Sequence, residues 1–156
     1  MDWLYDLVTN RFLVTGVSSW FVAQVAKTVI HAIINKKLVL ERLVGDGGMP
    51  SGHSATVTSL AMISGLTYGF GSHQFAVTAL LATIVCHDAM GVRLETGKQA
   101  QIINELTRAF EIWTKKDLPE VKLKEFVGHT PIQVIAGILI GVANGLFMHF
   151  VVFPLL

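Results

Sequence analysis

Two short stretches concentrate the residues able to do chemistry. GGMPSGHSA, Gly47 to Ala55, sets glycines, a proline, a serine and a histidine between long apolar segments, and GHTP, Gly128 to Pro131, opens the last apolar segment in the same manner. Ser51 can cap the helix that follows it. Alternatively, with Gly52 and His53, it can present a hydroxyl and free backbone N–H groups at the positive end of a helix dipole, where an anion such as phosphate binds. Gly47 and Gly48 permit a tight approach turn, and Pro50 suits a helix entry. One histidine at a membrane interface would only anchor a helix; His53 and His129, each beside glycine and proline and on one face, point to function. His31, His73, His87 and His149 lack that setting, and His73 and His149 fall towards the opposite face as structural residues.

Lys27 and Asp88 are ionisable groups inside or near the ends of apolar segments. A charge there is costly unless paired or wetted, so each is either functional or paired, and the two can pair with each other. Arg93, five residues beyond Asp88, suits bidentate phosphate contact and equally suits snorkelling to lipid headgroups. Cys86 is the only cysteine, which excludes an intramolecular disulfide and a thiolate cluster and leaves a small packing residue. The carboxylates are few on this face and the histidines lack ligand spacing, so no metal and no other cofactor is expected.

The elements that must position these groups are apolar helices. The 156 residues are 52% hydrophobic and 15% charged, too apolar for an ordinary water-soluble domain. Four segments are long and apolar enough to cross a hydrocarbon core: roughly Phe12 to Ile34, Ser54 to Phe70, Phe75 to Val92 and Pro131 to Phe153. The second and third are rich in Gly, Ala, Ser and Thr, which lets membrane helices approach closely, and the fourth sets Gly137, Gly141 and Gly145 on one smooth packing face. Ile102, Ile103, Leu106, Ala109, Phe110 and Trp113 share one face of an amphipathic helix that lies at the interface or against the bundle. Pro119 breaks the chain after it, ahead of a short helix. The expected fold is thus an all-α integral membrane protein: one domain over residues 1–156, a compact bundle of about four spans plus an interfacial helix.

Lys36, Lys37 and Arg42 fall between the first two spans, and Arg93, Lys98, Arg108, Lys115, Lys116, Lys122 and Lys124 between the last two; only Arg11 falls on the other side. The positive-inside bias therefore puts both basic connections in the cytoplasm and both termini outside. The acidic opening MDWLYD does not suit a signal peptide. No basic arm with interleaved aromatics suggests nucleic acid as a partner.

Taken in order, GGMPSGHSA, DAMGVRLETGKQA and GHTPIQVIAGILIG closely resemble the divergent branch of the type 2 phosphatidic acid phosphatase family, which is related to acid phosphatases and vanadium haloperoxidases. The resemblance runs from about Phe12 to Gly141. It implies phosphate-ester chemistry through a phosphohistidine: His129 as nucleophile, His53 as general acid, Ser51 and Gly52 as phosphate ligands, and Lys27 as the lysine of the family's first motif. The chain departs from the family where an orienting acid would stand four residues after His129, since that residue is Gln133. It also lacks any Arg-Pro, and Leu123, flanked by Lys122 and Lys124, stands where an arginine is expected; Asp88 and Arg93 are the groups available to supply the missing acid and guanidinium. The resulting expectation is a metal-independent hydrolase of a lipid phosphate or diphosphate, polyprenyl tails included, working at the cytoplasmic side of the plasma membrane. The alternatives are a catalytically silent lipid-phosphate binding or transport protein, and a scaffold whose histidines only anchor helices. Membrane lipid is the surrounding partner, and an oligomer is compatible with the sequence.

Overall fold

The structure, a computed structural model, describes residues 2–37, 39, 47–115, 123–125 and 127–155. Arg42, Lys116, Pro119 and Lys122, which entered the charge count and the expected break, lie outside them. The described elements are helices without a strand: α1 (Asp2–Val8), α2 (Arg11–Asn35), α3 (Gly52–Tyr68), α4 (His73–Met90), α5 (Val92–Thr114) and α6 (Pro131–Phe147), followed by a π-helical turn at Met148–Val152 and a 3-10 turn at Phe153–Leu155.

Local signals set the boundaries. Asn10 caps α2 by accepting from the N–H groups of Phe12 and Leu13 at 3.0 and 3.1 Å. Ser72 does the same for α4 through Phe75 N–H at 3.2 Å. Thr130 is the N-cap of α6, with Pro131 at the first helical position, where its missing N–H costs nothing. These caps fall close to the ends expected from the apolar segments.

α3 is the central helix and packs against α2, α4 and α6. Its partners are recognisable from single contacts. A Cβ on Gly137 would lie 2.5 Å from the Ser51 carbonyl oxygen, one on Gly141 2.5 Å from that of Ala55, and one on Gly145 2.8 Å from Met62 Cβ. The glycine face of α6 therefore lies directly on the α3 backbone, with the two helices parallel. α2 runs antiparallel to both: Ser19 Oγ donates to the Ala55 carbonyl at 3.1 Å, and Asn144 Nδ2 donates to Thr15 O and Ser18 Oγ at 3.2 and 3.0 Å. Such interhelical bonds contribute on average only about 0.6 kcal/mol each, so close packing of small residues does most of the holding.

The burial pattern is inverted relative to a water-soluble protein. Buried positions are mostly small, including Ala23, Ala55, Ser19, Ser54, Ser59 and Thr15, whereas Val17, Ile33, Leu80 and Leu139 are exposed. An exterior of large apolar side chains over a small-residue interior is what a lipid solvent selects. Arg11–Asn35, the α4–α5 run His73–Thr114 and Pro131–Leu155 are long and apolar enough to cross a membrane. α3 has 17 residues, slightly short of that length. The protein is an all-α membrane protein. Cys86 packs with Ala89 and Val134, as expected of a small core residue.

Candidate functional site

Alternating helix direction gathers the C-terminal ends of α2 and α4 and the N-terminal ends of α3 and α6 at one end of the bundle. Two of the four therefore present positive dipole ends to the same place. Gly47 and Gly48, both at positive φ (78° and 82°), turn the chain into α3, and the side chain of Lys27 lies 3.6 Å from where a Cβ on Gly48 would stand. Lys27 is buried, at 5% exposure.

Ser51 serves as the N-cap of α3. Its Oγ accepts from Ser54 N–H at 3.3 Å and bonds Ser54 Oγ at 3.0 Å, and the residue is wholly buried. Its own N–H donates to the Gln133 carbonyl at 3.0 Å, tying the start of α3 to the first turn of α6. Of the two roles open to this serine, capping is the one its side chain performs. The N–H groups of Gly52 and His53, by contrast, make no hydrogen bond among the described residues, so the donors left unpaired at this turn belong to its backbone. Gly52 is pressed against Trp20, whose Cδ1 lies 3.3 Å from a Cβ placed there.

His129 is buried at 5% exposure and is fixed from several directions. Its backbone N–H donates to the Ala89 carbonyl at 2.9 Å, and its Nδ1 lies 3.2 Å from Gln133 Oε1. The same oxygen accepts the Thr130 N–H at 3.1 Å. A backbone N–H can only donate, so the Gln133 atom facing it is the carbonyl oxygen. Nδ1, sharing that oxygen, must carry a proton, which leaves the lone pair of the neutral ring on Nε2. Burial, the largest effect, lowers the pKa of this imidazole below the ordinary 6.5; the Gln133 bond opposes the shift, the charges of Lys27 and His53 reinforce it, and a backbone contact with Gly48 opposes it more weakly. The ring is therefore neutral at pH 7.

His53, Arg93 and His129 line a cavity of about 40 Å³ whose walls include Val85 and Ala89 of α4 and the glycines Gly47 and Gly128. Behind it, sharing those glycines, a cavity of about 250 Å³ is lined by Gln133, Thr130, Lys98, Gln101 and Glu125. Asp88 forms an ion pair with Nε of Arg93. It pairs neither with Lys27, the partner the sequence offered, nor with the imidazole that an orienting acid would serve; Gln133 holds that position instead. Lys27, His53, Arg93, His129 and Gln133 are thus brought together, with the Gly52 N–H at the same turn, while Ser51 is enclosed and Asp88 bears on the group only through Arg93.

One polar residue at this end had no signal in the sequence. Gln24 on α2 is 4% exposed, and its Oε1 lacks a hydrogen-bond partner among the described residues. It lies 3.8 Å from a Cβ built on Gly52. Nothing in the spacing of α2 distinguishes it from the surrounding apolar run.

A small-residue helical bundle with a buried, amide-held histidine beside two helix N-termini is the arrangement of this all-α membrane protein. Residues 8–144 match the divergent PAP2 family, and the chain belongs to that family. It is 40% identical over 146 residues to the uncharacterized membrane protein YuiD of Bacillus subtilis (strain 168), a match that covers 88% of this chain and 92% of the relative. No solved structure matches the chain.

Proposed function

We propose that this protein hydrolyses the phosphate ester of a membrane lipid through a phosphohistidine on His129, at the cytoplasmic side of the plasma membrane. The observation that carries the reading is the shared oxygen of Gln133, which accepts from Thr130 N–H and so leaves the lone pair of a neutral His129 on Nε2, in support of that nitrogen as the nucleophile. Family membership supports phosphate-ester chemistry in general terms.

In this reading the phosphoryl group sits between His129 and the Gly52 and His53 N–H groups, with Lys27 and Arg93 neutralising its oxygens. Nε2 attacks phosphorus, the N–P bond forms as the ester P–O bond breaks, and His53 donates a proton to the departing oxygen. Water then attacks the phosphohistidine, His53 takes a proton from it, and inorganic phosphate leaves as His129 returns to its neutral state. The acyl or prenyl part of the substrate remains in the bilayer beside Val85 and Ala89. The basic connections set the orientation: Lys36 and Lys115, at the C-terminal ends of α2 and α5, face the cytoplasm.

The amide at position 133 also favours a second reading, because it orients the ring but carries no charge to stabilise an imidazolium: a silent lipid-phosphate binding or transport protein with the same cradle. Purified protein presented with a panel of prenyl and glycerolipid phosphates and diphosphates separates the two. Release of inorganic phosphate supports the hydrolase; saturable binding of the same lipids without release supports the carrier. Absence of both leaves the scaffold reading.

A further inference from the structure

The segment that delivers His129 is laid along α5. A Cβ on Gly97 would fall 2.6 Å from the Val127 carbonyl oxygen and 2.8 Å from that of Glu125, and one on Gly128 would strike the backbone of Arg93 and Leu94. The positions of contact step back along α5 as the segment advances: Gly97, then Leu94 and Arg93, and finally Ala89 on α4, which accepts the His129 N–H. At the far end of this track stands Asn104, two helical turns from Gly97 and on the same face as Gly97 and Ala100, the buried strip of α5. Its Oδ1 accepts Leu123 N–H at 3.1 Å, its Nδ2 donates to Leu123 O at 3.0 Å, and the same Nδ2 donates to Glu125 Oε1 at 2.8 Å. One amide therefore grips both backbone groups of Leu123, as a neighbouring strand would, and also the side chain two residues on.

Asn is a poor choice for a helix interior, because its side chain competes for backbone hydrogen bonds. This one is 7% exposed and caps no helix end; all of its described side-chain bonds go to residues 123 and 125. We propose that Asn104 is a positioning residue for His129: it anchors the start of the segment whose other end holds the imidazole in its buried place between α2, α3 and α6. The effect passes along the backbone, since the glycine contacts that follow are close packing without side-chain bonds. Among the described residues, the charged and titratable groups around the ring are Lys27 on α2 and His53 on α3, with Gln133 on α6 as its hydrogen-bond partner and the Asp88–Arg93 pair at the cavity rim.

The test uses full-length protein in lipid nanodiscs, wild type, Asn104→Ala and the isosteric Asn104→Asp, with Ile112→Ala on the exposed face of α5 as control. Histidine ¹⁵N resonances report the His129 titration. Burial is the main cause of its lowered midpoint, so releasing the anchor moves the midpoint upward towards 6.5 in both Asn104 variants, less in Asn104→Asp, and leaves it unchanged in Ile112→Ala. The kinetic arm rests on the phosphohydrolase reading and the titration arm does not. In the former, kcat falls about 10- to 100-fold through a displaced nucleophile, while KM, set by the untouched α3 turn, stays within about threefold. An unmoved His129 midpoint in either folded Asn104 variant overturns the proposal. A shifted midpoint in a protein whose wild type hydrolyses nothing upholds the positioning role and sinks the phosphohydrolase reading.

Discussion

The two histidine-bearing turns meet at the same cavity but are built differently. His129 is enclosed, tied by its backbone to α4, held through Nδ1 by Gln133 and approached by an α5-supported segment. His53 lies on the first turn of α3 with its side chain exposed and without a hydrogen bond among the described residues. The difference matches the demands of the chemistry proposed for them. A nucleophile needs one tautomer and one direction, because displacement at phosphorus is in line. A general acid must follow the departing oxygen and exchange its proton with water afterwards, so an open, loosely held ring suits it.

Substitutions break this contrast in graded ways. His129→Ala removes the proposed nucleophile, and phosphate release falls to background while the helical circular dichroism spectrum is retained. His53→Ala costs about 10²- to 10⁴-fold on lipid monophosphates but far less on diphosphates, whose leaving group departs without a proton; the ratio of rates on matched substrates measures this. Gln133→Ala frees the imidazole to adopt either tautomer and lowers turnover about 100-fold, a loss smaller than that of an orienting carboxylate because an amide contributes geometry without charge. The same variant loses the bond that raises the His129 pKa, so the acid limb of its pH–rate profile moves to still lower pH. For the proposed hydrolase the wild-type limb is expected below 6.5, since protonation removes the nucleophilic lone pair only once pH drops through the lowered His129 pKa. Asp88→Asn has the smallest effect, about threefold or less, because its carboxylate serves a half-exposed Arg93 rather than the imidazole. A large loss in Asp88→Asn with an active Gln133→Ala would reverse the assignment of the orienting group.

Apolar length and small-residue spacing made the bundle legible in the sequence. The glycines at 137, 141 and 145 need a partner backbone at van der Waals distance, and α3, itself rich in serine and alanine, supplies it. The gathering of the polar clusters at one end followed from helix direction alone. The details of the site were less accessible. The spacing of Thr130 and Gln133 is that of a capping box, a signal present in the sequence, yet the second use of the Gln133 oxygen, on His129, depends on how the preceding residues leave the helix axis. Asp88 and Arg93 straddle the break between α4 and α5 at Gly91, where helical spacing no longer predicts neighbours. Asn104 finds Leu123 across 19 residues, a distance over which local pattern carries no information.

The proposed hydrolysis turns on a covalent bond between His129 and phosphorus. Rapid acid-free quenching of the wild-type protein with a ³²P-labelled lipid phosphate, followed by peptide mapping, tests it directly. The expected label is acid-labile and base-stable, sits on the peptide containing His129, rises before inorganic phosphate appears and persists in His53→Ala. Release of inorganic phosphate with no label on that peptide at any time, or a label on His53, would contradict it.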